Sequence, residues 1–258
     1  MSASRQAGLL TGFDQARDYL PLLRLMVLLG LIIFGIVVLY FFGLVQALFA
    51  TDRSHISSLI VLIFFGTTAH CVLQTAIISR ELTSARRVAA IVESDSGFRV
   101  INGRAVSADG RELEPSILTR HILNLIGKSR AQGGRRLDQA ILLRNLADQL
   151  RRREKLGWFV AEALLRLALL GTAVGFIFML IPIATLKSFD VETLRTALSG
   201  MSGGMAVALN VTVTGIGCAL LLKLEYYILD SSISELFNTI TELTEVHVVS
   251  VLERPSHG

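Results

Sequence analysis

Residues 198–222, LSGMSGGMAVALNVTVTGIGCALLL, and residues 167–186, LALLGTAVGFIFMLIPIATL, carry no charge and concentrate glycine, alanine, serine and threonine on one helical face. In the later stretch Gly204, Ala208, Thr212, Gly215 and Ala219 recur at steps of four, four, three and four, which stacks them on one side of a helix. A bulky stripe, Met205, Leu209, Val213, Ile216 and Leu220, runs beside them. In the earlier stretch Ala168, Thr172 and Gly175 share a face by the same spacing, with Gly171 next to them. Small residues let helix backbones approach closely in lipid, and hydroxyls there need partners or water. The residues themselves support two readings: tight helix packing with each threonine bonded back to its own helix, or a narrow polar path for an ion.

Hydrophobic residues make up 52% of the 258-residue chain. The mean hydropathy is +0.58, and the apolar residues come in long blocks, as in an integral membrane protein. Two further uncharged stretches, 25–48 and 56–78, exceed the roughly 20 residues needed to cross a hydrocarbon core. The expected fold is therefore all-α: a polytopic membrane protein with four transmembrane helices in two hairpins and a cytoplasmic helical bundle. The first span is too long for a signal-peptide core, so the N-terminus is expected to stay attached.

Orientation follows from the basic residues. Of 25 Lys and Arg, 16 lie between Arg80 and Lys155, whereas the loop around Asp52 and Arg53 and the 187–195 loop hold three between them. The central segment is expected in the cytoplasm, and an even number of spans places both termini there too. The net charge of +4 is then mainly a topology signal, and no aromatic interleaving points to nucleic acid. The organisation reads as an N-terminal cytoplasmic segment (1–19), a first hairpin (20–79), a cytoplasmic helical domain (80–156), a second hairpin (157–223) and a C-terminal cytoplasmic helix (224–258).

Within the central domain, Asn102-Gly103 signals a short hairpin over 98–106, with flanks too short for more than a ribbon. Pro115 starts a helix with Leu118, Ile122 and Leu125 on one face, and Gly133-Gly134 breaks the chain. The next helix is expected to bury Leu137, Ile141, Leu142 and Leu146 and to run through Trp158 into the third span. Arg151, Arg152, Arg153 and Lys155 read as a solvated, headgroup-facing collar. Beyond Lys223 the last helix continues to about Val251, and Leu229, Ile233, Leu236, Ile240 and Leu243 form an a/d seam. Either the 137–150 segment or a neighbouring copy is expected to cover that seam.

Other polar residues fit local roles. His70 is expected to bond a neighbouring helix, and Glu162 and Arg166, four apart, to pair at the inner mouth of the third span. Cys71 and Cys218 both fall in spans and imply no disulfide. No cluster of His, Cys or carboxylates and no glycine-rich phosphate loop points to catalysis, so no enzyme, cofactor or metal site is expected. No charged residue lies deep in any span, so a titrating carboxylate for ion transfer would have to come from another chain.

Leu169-Leu170-Gly171-Thr172-Ala173-Val174-Gly175 resembles the L-L-G-T-x-x-G signature of the MotA/TolQ/ExbB proton-channel family. The run from Gly204 to Gly215 is similar to that family's G-I/M-x-x-A-L-x-x-T-x-x-G pattern. Four spans resemble the flagellar stator branch, whereas the threonine motifs resemble TolQ and ExbB. The resemblance implies that Thr172 and Thr212 are the paired pore threonines, with Ala168, Gly171, Gly175, Gly204, Ala208, Gly215 and Ala219 on the pore face. It implies a homopentamer in the bacterial inner membrane, around a single-span partner whose transmembrane Asp carries the ion, so that ion flow drives mechanical work. Two departures stand out: Val207 occupies the place of an acid found in TolQ and ExbB, and the usual Pro before L-L-G-T is absent. A non-conducting membrane scaffold of the same fold is the alternative they leave open.

Overall fold

A computed structural model describes residues 20–52, 54–94, 98–101, 104–107, 114–132, 138–184 and 190–252. In chain order its elements are α1 (Leu20–Phe41), α2 (Leu44–Thr51), α3 (Ile56–Ser94), β1 (Phe98–Ile101), β2 (Arg104–Ser107), α4 (Ile117–Gln132), α5 (Ala140–Ala184) and α6 (Val191–Leu243). A π-helical turn, Thr244–Val249, and the short α7 (Ser250–Leu252) follow. Among the described residues the protein is all-α apart from one antiparallel ribbon that pairs Phe98 with Ser107 and Ile101 with Arg104. Asn102-Gly103, Gly133-Gly134, Leu137, residues 1–19 and residues 185–189 lie outside the described residues.

Four helices among the described residues are long and apolar enough to cross a membrane: α1, α3, α5 and α6. The first differs from its expected extent of 25–48. It ends at Phe41, because Gly43 takes a left-handed conformation (φ 73°) that only a residue without a Cβ adopts cheaply, and a separate short helix follows. Before α3, Asp52 accepts bonds from the amide and hydroxyl of Ser58 and the hydroxyl of Ser54. Burial alone would raise this carboxyl, but the serine bonds together outweigh it and hold it below the ordinary carboxylate value.

The chain divides into two compact units, one of Met1–Leu23, Leu73–Glu154 and Ile228–Gly258, the other of Arg24–Val72 and Lys155–Tyr227. The core of the first is built on the a/d seam: Leu229, Ile233, Leu236, Ile240 and Leu243 are all buried. Leu118, Ile122 and Leu125 of α4 and Ile78 and Leu82 of α3 are buried in the same unit. Each such side chain contributes about 1.5–3 kcal/mol relative to exposure. The N-terminus of α4 is capped from α3, where Glu81 accepts the backbone N–H of Ile117 at 2.9 Å.

The buried face of α5 in this unit is only partly the expected one. Leu146 is buried as expected, but Ile141 is 68% exposed and Leu142 half-buried, and Leu150 is buried with Leu146. Gln139, Leu146 and Leu150 lie seven and four apart, one helical face, and Ile141 falls off it. Of the basic collar, Arg151, Arg152 and Lys155 are exposed, while Arg153 donates to Gln74 at 3.1 Å.

His121 of α4 is buried, and its Nε2 has no partner among the described residues. Burial lowers its pKa below 6.5, a side-chain bond with Gln139 offsetting only part of the effect. The unfolded chain therefore binds more protons than the folded one at mildly acidic pH. The resulting stability is full above the unfolded value of 6.5 and is lost as pH falls below it. Denaturation of the full chain in detergent is expected to shift to lower denaturant on acidification, and His121→Gln to flatten that dependence.

Candidate functional site

The second unit holds the paired threonines, the small residues of the two spans, and Glu162 with Arg166. Here α5 and α6 run antiparallel with their backbones in contact. A Cβ added to Gly175 would stand 2.6 Å from the Ala208 nitrogen, one on Gly215 2.5 Å from the Ala168 Cβ, and one on Gly204 2.6 Å from the Met179 Cα. Gly171 packs on Val211, and Gly200 on Pro182, which lies two residues from the end of α5. Only residues without a side chain allow this approach, which in lipid replaces the missing hydrophobic drive with dispersion contacts.

That packing narrows the passage-facing role expected of the small residues. Ala168, Gly171, Gly175, Gly204 and Gly215 fill the α5–α6 seam, and Ala219 is buried farther along. Ala208 alone is half-exposed. The bulky stripe faces away, with Met205 53%, Leu209 60%, Val213 71% and Leu220 63% exposed. In a membrane such a surface meets lipid or another protein.

The same register fixes the threonines. Because Gly171 meets Val211 in antiparallel packing, Thr172 and Thr212 stand within about two residues' rise, about 3 Å, of the same level. Both are half-buried. The Thr172 hydroxyl donates to the carbonyl of Leu169 at 2.6 Å, and Thr212 donates to that of Ala208 at 2.8 Å. With its proton committed to its own helix, each hydroxyl oxygen keeps a lone pair that accepts from an incoming donor. Thr172 also lines an open groove of about 410 Å³ with Ala173, Phe176, Met179, Met205 and Ala208; Thr212 is not among its walls.

Glu162 pairs with Arg166 at 3.8 Å, as its spacing indicates, and also with Lys223 at 3.7 Å. All three are solvent-accessible, so the trio is a weak surface network. His70 bonds a neighbouring helix: its Nδ1 is 2.8 Å from the Tyr226 hydroxyl. The Tyr226 ring lies directly on Gly157 of α5.

Sequence reasoning missed Glu225, a fully buried residue whose carboxyl accepts the Thr68 hydroxyl at 3.1 Å. The uncharged stretch ends at Leu222, which puts Glu225 in the C-terminal cytoplasmic helix. Leu222, Tyr226 and Leu229, at steps of four and three and all buried, continue the seam inward and carry the missing signal.

Four apolar helices and a close-packed hairpin presenting two threonines at one depth define the class: a multi-pass α-helical membrane protein with a hydroxyl-bearing helix pair. The model of the MotA/TolQ/ExbB proton channel family matches residues 116–242, just under half the chain, covering α4, the paired threonines and the a/d seam as far as Ile240. Over that segment, the chain is similar to the MotA/TolQ/ExbB proton channel family. No individual curated protein matches it.

Proposed function

We propose that this chain is the pore wall of an ion-driven motor in the bacterial inner membrane, with both termini cytoplasmic. Five copies surround a single-span partner whose transmembrane Asp is protonated and released as it passes Thr172 and Thr212. One observation carries the reading: within the family-matched segment, two threonines from successive helices stand at one depth, and Thr172 opens onto a groove. The groove offers one hydroxyl oxygen, that of Thr172, and no charge, which suits a wall past which a neutralised acid moves. One charge crossing 100 mV releases about 2.3 kcal/mol, enough to bias two conformations about fiftyfold, and repeated passages turn one subunit set against the other.

Copurification tests the assembly. The tagged chain, expressed with the product of the adjacent reading frame and weighed intact by native mass spectrometry, is expected as five copies with a single-span companion. A lone monomer without such a companion would contradict the reading. The buried valine at position 207 favours the non-conducting scaffold, for which the assembly forms but passes no protons.

A further inference from the structure

Glu225 has no exposed surface. One carboxyl oxygen accepts the neutral hydroxyl of Thr68 at 3.1 Å, and the other has no partner among the described residues. Among the described residues, no cation pairs with it. Lys223, on the same helix, is directed to Glu162, which also holds Arg166 from α5. On the α3 side, His70 is engaged by the Tyr226 hydroxyl and Cys71 is buried. A carboxylate out of water with a single neutral donor is strongly disfavoured, whereas the neutral acid leaves only an O–H group to accommodate. The threonine groove does not account for this residue. Glu225 is 13 positions beyond Thr212, about 20 Å along the helix and about 220° around it, so it lies off the threonine face.

We propose that Glu225 is a second proton-binding site of this chain, set in the α3–α6 seam apart from the threonines, and that it couples channel activity to cytoplasmic pH. Its proton exchanges with cytoplasmic water; the O–H bond is the only one made or broken. Release leaves an unpaired negative charge between α3 and α6, relieved only when water enters or the seam opens. High cytoplasmic pH therefore loosens the inner end of the hairpin and slows conduction. The coupling rests on the channel reading; the proton site does not.

The experiment separates the two. Infrared spectra of the full chain in lipid nanodiscs are expected to show a protonated carboxyl band at neutral pH. Glu225→Gln, which keeps the acceptor for Thr68, abolishes that band, and Thr68→Val shifts it. No Glu225-dependent band at neutral pH would overturn the site. In proteoliposomes carrying the assembled complex, proton flux is expected to fall as the pH on the cytoplasmic face rises, and to become insensitive to it in Glu225→Gln. An unchanged pH profile in that variant would overturn the coupling. A wild-type complex that conducts nothing would overturn the channel reading and the coupling together, while the infrared band still decides the site.

Discussion

Gly204→Ala is expected to destabilise the protein, and Gly203→Ala, one residue earlier, to leave it unchanged or stabilise it. In a helix interior the exchange ordinarily gains up to about 1 kcal/mol, because alanine is the better helix former. At Gly203 nothing lies within 4 Å of the added carbon, so only that gain applies. At Gly204 the carbon would land against the backbone of Met179 and 2.8 Å from the carbonyl carbon of Phe178. Backbone cannot rotate aside as a side-chain tip can, so α5 and α6 must separate along the seam through Gly175, Gly171 and Gly215. Overpacking of this kind costs about 1–3 kcal/mol, and more where it cannot relax. Thermal unfolding in detergent, read by loss of the monodisperse species, is expected to move in opposite directions for the two variants. The same sign for both would mean that α5 and α6 are not in backbone contact.

The periodicities that face a core were readable from the sequence. The steps of four and three from Leu229 to Leu243 place one stripe inward whatever covers it, and all five residues are buried. The stripe from Gly204 to Ala219 was equally legible as a face, but not its use, since closeness to a partner helix and closeness to a passage demand the same small residues. Only the identity of what each glycine touches separates them, and that is a property of two helices at once. Ile141 misled because three apolar neighbours near a helix start suit two faces equally, and the register with the rest of the unit selects the one through Leu146 and Leu150. Glu225 escaped because hydropathy reads a charged residue as the end of a span. The backbone takes no notice of it, and α6 carries it into the α3 seam as a buried side chain.

Replacing Thr172 and Thr212 together with valine is expected to abolish proton-driven work while leaving the fold and assembly intact. Valine matches threonine in shape, and each hydroxyl bonds only within its own helix, so little folding energy is lost. During transfer the same oxygens would be partners of a carboxyl out of water, and removing such a partner costs about 1–3 kcal/mol, roughly ten- to a hundredfold in rate for each threonine. The variant thus separates a structural from a conducting role, which a glycine substitution in the seam cannot. The decisive measurement is proton flux through proteoliposomes containing the double variant with its single-span companion, at wild-type subunit stoichiometry and thermal stability. Loss of nearly all flux is the result expected of a pore wall; flux equal to wild type would contradict it.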